Sequence, residues 1–164
     1  MADAMMNLHG RHHRRVEVSV EFRERYWYPD DGGEVWVSGF HLVDEAGHFL
    51  GRDAPELEAA GLIVCGVAGA VHRPDALASD AAAPGRALTL RPEPDNPHDP
   101  HAVAVLLETG EPVGYVPREI APTVQAGWSA VVLRERRATP RDPRTGLTML
   151  LARAESIELS LRRP

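Results

Sequence analysis

Val16, Val18, Val20 and Phe22 alternate with Glu17, Ser19, Glu21 and Arg23, the period-two pattern of a strand with one buried face. A turn cluster, Pro29 to Gly33, follows, and then Glu34–His41, rich in Val and aromatic residues, so 16–41 predicts a β-hairpin. A second polar turn at Asp44–Gly47 precedes a short helix or coil over Ala54–Ala60. Strand-like segments then recur at Leu62–Val71, Arg86–Arg91, Ala102–Leu107 and Val113–Val116, with a loose Ala/Asp/Pro linker before Gly85. Pro117 opens a helix-like stretch to about Gln125, with Pro122 an awkward interior residue, and Gly127 ends it. Trp128–Arg136, Leu147–Ala154 and Ser156–Arg162 predict three more strands. Ala102–Leu107 is apolar on both faces, as a closed or two-layered sheet requires. Many short strands with one or two short helices and Gly/Pro turns make this an all-β protein, a barrel or sandwich.

The division expected is a disordered polar tail over 1–15, an N-terminal β-hairpin extension over 16–60 and a β-barrel domain over 61–164. Cys65 is the sole cysteine, so neither an internal disulfide nor a cysteine-based zinc site can form. The longest apolar run is too short to span a bilayer and the first fifteen residues carry no secretory h-region, which predicts a cytoplasmic location. All 18 basic residues are arginine, which removes any P-loop or Schiff-base lysine. G-x-S-x-G, H-E-x-x-H and dinucleotide fingerprints are absent, so the sequence reads as a non-enzyme with no cofactor and no metal. The net charge of −6 opposes general nucleic-acid binding, yet it is uneven: residues 131–164 hold eight arginines against four acids.

The most informative segment joins two strands: Pro92-Glu93-Pro94-Asp95-Asn96-Pro97-His98-Asp99-Pro100-His101. It is longer than an ordinary hairpin loop of about 2–5 residues. Its four prolines reduce the entropy lost in holding one shape, so Asn96, His98 and Asp99 can be presented in fixed geometry. The plain alternative is that Asn and Asp beside Pro merely form turns.

The run PEPDNPHDPHAVAV at 92–105, followed by EPVGYVPREIA at 111–121, resembles the HIRAN domain, as does Val64-Cys65-Gly66 before it. The resemblance covers about residues 61–160 and implies an OB/SH3-like β-barrel. It implies nucleic-acid binding, with the free 3′ end of single-stranded DNA held in repair or replication. Asp99 would accept from the 3′-hydroxyl, Asn96 would touch sugar or phosphate or brace the turn, and His98 would stack in place of the usual tyrosine. Arg118 would lie near phosphate, with Tyr115 packing or donating beside it. Where 3′-end-binding members carry an Arg-Tyr pair, this chain has Val67-Ala68-Gly69-Ala70. Substitutes for the missing ring and cation are Tyr26-Trp27-Tyr28 and Arg73.

The helicase-like ATPase and RING finger of larger relatives have no motifs here, leaving the binding module, with a helicase or nuclease as possible protein partner. The competing reading is a protein–protein interaction module that keeps the barrel without end binding. A third has the acidic first sixty residues folding over the site as a nucleic-acid mimic.

Overall fold

The computed structural model describes residues 4–6, 12–28 and 33–162. Ten strands and two short helices follow in order: β1 (Ala4–Met6), β2 (His12–Trp27), β3 (Val35–Leu42), α1 (Pro55–Ala59), β4 (Leu62–Gly66), α2 (Pro74–Ala78), β5 (Ala87–Pro92), β6 (Val103–Leu107), β7 (Pro112–Tyr115), β8 (Ser129–Arg137), β9 (Arg144–Ala152) and β10 (Ser156–Leu161). Residues 12–15, expected to be part of a disordered tail, instead extend β2, and β1 pairs antiparallel with that extension. The rest of that tail, and the 29–32 turn tip, lie outside the described residues.

The OB-like β-barrel runs β4-β9-β8-β5-β6-β7, each neighbour antiparallel. It closes where the chain just after β4 meets β7. The Ala68 N–H donates to the Tyr115 carbonyl at 2.8 Å, and the Tyr115 N–H donates back at 2.9 Å. Gly114 permits this closure, because a Cβ there would overlap the Ala68 carbonyl oxygen and Val67 Cγ1. That close approach is the physical reason for a glycine before Tyr115.

Strands β8 and β9 read as apolar on both faces because both faces are covered. Val132, Met149 and Leu151 point into the barrel with Val105, Leu107 and Val113. Val131, Leu133 and Leu150 face outward and are covered by Val18, Val20 and Leu42 of β2 and β3 and by Leu57 of α1. The extension therefore has a hydrophobic cluster in common with the barrel wall.

One edge of β8 serves two partners. Its first half pairs with β5 at Ala130 and Val131, and its second half pairs with β3 from Arg134 to Arg137. Gly39 makes the second pairing possible, since a Cβ at its φ of +146° would overlap the Leu133 carbonyl. β10 lies parallel to β2, making the sheet mixed.

Three more expectations change. The strand expected over Leu62–Val71 ends at Gly66, after which the chain closes on β7 at Ala68 and enters a 3₁₀ turn at Ala70–His72. The linker after residue 72 contains α2 and a 3₁₀ turn at Asp80–Ala82, whose Ala76, Leu77, Ala81 and Ala82 are buried in the barrel core. The helix expected from Pro117 shrinks to a turn and a 3₁₀ turn at Ala121–Thr123, where Pro122 has no N–H to continue a ladder. No helix among the described residues is long and apolar enough to cross a membrane.

Candidate nucleic-acid interface

Two strands of the barrel, β5 and β6, hold the ends of the Glu93–His101 loop, and the Glu93 N–H donates to the Ala102 carbonyl at 2.8 Å across its base. Inside the loop one side chain does most of the organising. Asn96 Oδ1 accepts from the backbone N–H of His98 at 2.9 Å and of Asp99 at 3.1 Å, while Asn96 Nδ2 donates to Glu93 Oε1 at 3.1 Å. An amide is needed for this: a carbonyl end to collect two amides and an NH₂ end to reach a carboxylate. Asn96 thus braces the turn.

Glu93 ties the loop to β7. Its Oε1 also accepts from the Tyr115 hydroxyl at 2.9 Å, and Arg91 lies 3.4 Å from Oε2. Hydrogen bonds from Asn96 and then Tyr115, with help from Arg91, hold the Glu93 carboxyl below its ordinary range. The bond to Glu93 in turn raises the Tyr115 phenol, and the charges of Arg73 and Arg91 oppose that rise. Arg73, Arg91 and Arg118 are all exposed and gather around this face. Tyr115 is half-buried, its hydroxyl committed to the loop.

Asp99 is divided between two tasks. Its Oδ1 accepts from the His101 N–H at 2.9 Å, which rounds off the loop, and its Oδ2 stands 3.9 Å from Arg118 Nε. The Asp99 side chain is 20% exposed and that of Arg118 79%, so a mostly sheltered acceptor sits beside a cation reaching into solvent. His98 is exposed on the same loop, without a side-chain hydrogen-bond partner among the described residues. Four of the five expected residues, Asn96, Asp99, Tyr115 and Arg118, are joined by these contacts, and His98 projects beside them.

A profile of the HIRAN domain matches residues 61–152, more than half of the chain. The chain belongs to the HIRAN domain family. HIRAN domains are nucleic-acid-binding modules. Among solved structures, the crystal structure of the HIRAN domain of human HLTF is 21% identical, with 56% of this chain and 74% of that chain covered at a TM-score of 0.38. A search of curated proteins found no match.

Within the HIRAN segment, the residues at the place of the Arg-Tyr pair have structural duties. Ala68 closes the barrel, and Gly69, at φ +75°, turns the chain into a 3₁₀ turn at Ala70–His72. Arg73 follows directly, near Tyr115, where it can supply a cation to this face. Tyr26-Trp27-Tyr28 do not meet the loop. Trp27 pairs with Val35, and β3 pairs only with the Arg134–Arg137 half of β8, whereas β5 leaves β8 at its opposite end to enter the loop. The described residues of the β2–β3 hairpin therefore lie away from the Glu93–His101 loop. Sequence reasoning did not find the arginine-lined cavity at that far end. Its residues come from segments more than a hundred positions apart, although Arg134 and Arg136, two apart on one strand face, were a usable signal.

Proposed function

We propose that this HIRAN module binds the 3′ end of single-stranded DNA on the face formed by Asp99, Arg118 and His98, in DNA repair or replication. The observation that supports this most is Asp99 Oδ2, which takes no hydrogen bond from the described residues and stands 3.9 Å from the exposed Arg118, with Oδ1 already occupied. A terminal deoxyribose offers a 3′-hydroxyl donor and a neighbouring phosphate, which this acceptor and guanidinium complement. His98 supplies a ring for the terminal base, with stacking at the low end of about 1–3 kcal/mol per base because imidazole is small. Asn96, Glu93 and Tyr115 hold the loop that presents these groups. Nothing in this arrangement requires catalysis: it is a binding site.

The test is fluorescence anisotropy with strands ending in 3′-hydroxyl or 3′-phosphate. The wild-type protein should prefer the hydroxyl, because a phosphate removes the donor and sets an anion against Asp99. Asp99→Ala should erase the preference, and Arg118→Ala should weaken both strands alike. Equal affinity of wild-type protein for the two ends would refute the reading.

A further inference from the structure

Away from the loop, a cavity of about 390 Å³ opens between the N-terminal extension and the outer barrel wall. Arg25 and Trp27 come from β2, Val37, His41 and Leu42 from β3, Phe49, Leu50 and Arg52 from the next segment, and Arg134 and Arg136 from β8. Among the described residues none of Arg25, Arg52, Arg134 and Arg136 has a carboxylate partner within ion-pair distance. The one carboxylate residue in the lining, Glu135, is taken up by Arg137 at 3.2 Å and by a still closer contact with Arg144. Four guanidinium groups thus face one cavity without a carboxylate of their own, Arg25, Arg52 and Arg136 from solvent-exposed positions and Arg134 from a partly buried one. Arg134 feels it most: burial first, then Arg52, Arg136 and Arg25, bring its pKa down to about 10. The His41 Nε2 atom is buried there with no hydrogen-bond partner.

The apolar part of the wall is equally specific. Trp27 and Phe49 are each about half exposed, with guanidinium groups of Arg25 and Arg23 over their rings at 5.6 and 4.9 Å. Val37, Leu42, Leu50 and Val64 complete an apolar floor. Arginine forks suit phosphate oxygens, and flat half-exposed rings suit a nucleobase. The volume falls within the usual range of ligand pockets, about 300–1,000 Å³.

We infer that this cavity is a second site, separate from the Asp99 face, that takes a nucleotide unit: phosphate on the Arg25/Arg52/Arg134/Arg136 cluster and base against Trp27 and Phe49. The unit is either a free nucleotide or one nucleotide of a strand; the recognising chemistry is the same. Most of the lining lies outside residues 61–152, so the site is a property of this chain's extension joined to β8.

Calorimetric titration of the full chain tests this with four probes: deoxyadenosine 5′-monophosphate, deoxyadenosine, inorganic phosphate and a short strand blocked by a 3′-phosphate. The monophosphate or the blocked strand should bind saturably; monophosphate binding identifies free nucleotide as a ligand, and binding of the strand alone identifies strand nucleotides. Arg52→Ala and Trp27→Ala, both at exposed positions, should each weaken that binding about fivefold or more with the circular dichroism spectrum unchanged. In an Asp99→Ala/Arg118→Ala double variant, which lacks the first site, a saturable component that Arg52→Ala and Trp27→Ala weaken should persist; its loss would overturn the inference, whatever becomes of the first site. No saturable binding of either nucleotide probe, equal binding of phosphate alone or of the uncharged nucleoside, or variants binding like wild type would each overturn the inference.

Discussion

Asn96→Ala should loosen the Glu93–His101 loop without unfolding the barrel. The substitution removes one acceptor that serves two backbone amides, at 2.9 and 3.1 Å, and one donor to Glu93 at 3.1 Å. Each such bond contributes about 1 kcal/mol net, less where water can replace the lost partner, as it can for the exposed His98. Pro94, Pro97 and Pro100 limit how far the freed loop can wander, which offsets part of the loss. A reduction of about 2 kcal/mol in the local opening free energy follows, or about 30-fold faster exchange at the two amides. Hydrogen exchange read by NMR would show this at His98 and Asp99, with the Val105 amide in β6 as an unchanged reference. Asn96→Asp keeps the acceptor for both amides but places a carboxylate against Glu93, so its amide protection should survive better than that of the alanine variant. The 3′-hydroxyl preference should fall in Asn96→Ala, although no nucleic-acid contact has been deleted. Exchange within about threefold of wild type would show that the prolines, not Asn96, hold the loop.

Two further outcomes test the frame around the site. Gly114→Ala should destabilise the protein by about 3 kcal/mol, the upper end for overpacking, because the added Cβ overlaps rigid backbone where β7 closes the barrel. Gly110→Ala, at φ +90° in open space, should cost only about 1 kcal/mol, and equal losses in urea denaturation would contradict the closure argument. His41 has a folded pKa of about 4, lowered by burial and then by Arg134, Arg25 and Arg23, against 6.5 for an ordinary imidazole; the ring also abuts Phe49. Its contribution is complete above pH 6.5 and is lost as pH falls towards 4, since the unfolded chain takes up the proton first. Water reaching the half-buried ring reduces this to about 2 kcal/mol. The melting temperature of wild type should therefore drop more steeply from pH 7 to 4 than that of His41→Gln, and parallel profiles would disprove it.

Local pattern made much of this legible. The alternation at Val16–Arg23 marked β2, and Val18 and Val20 are buried as it requires. The two-faced apolar run Ala102–Leu107 marked a barrel strand, and all five residues of β6 are buried. The proline-rich loop was recognisable because Asn96, Asp99 and their partners Glu93 and His101 act within a few residues of each other. What escaped depends on distant partners. Residues 74–82 show no helical period because each turn is too short to express one, and their buried alanines gain meaning only as the filling of a barrel end. Nothing in Ser156–Leu161 reveals a parallel partner, since register with β2 is set across the whole chain.

The −6 charge was the strongest sequence argument against an anion-binding protein, and the fold weakens it by placement. The first sixty residues hold twelve acids, and their strands lie beside arginine-rich β8. Pairing of those acids with the β8 arginines would have neutralised them. Instead Glu21 lies beside Arg23 on its own strand, and Arg15 of β2 meets Glu158 of β10. Arg134 donates to a carbonyl, that of Phe40, at 2.9 Å, so it is positioned without being neutralised. At physiological salt the field of a charge fades over about 8 Å, and acids elsewhere on the surface do little to cancel a cluster that lacks one within ion-pair distance. The loop differs in degree: Arg91 and Arg118 have Glu93 and Asp99 at 3.4 and 3.9 Å, while Arg73 adds a cation with no ion-pair partner among the described residues. The quantity that governs binding is the local potential at each face, and whole-chain charge is a poor guide to it.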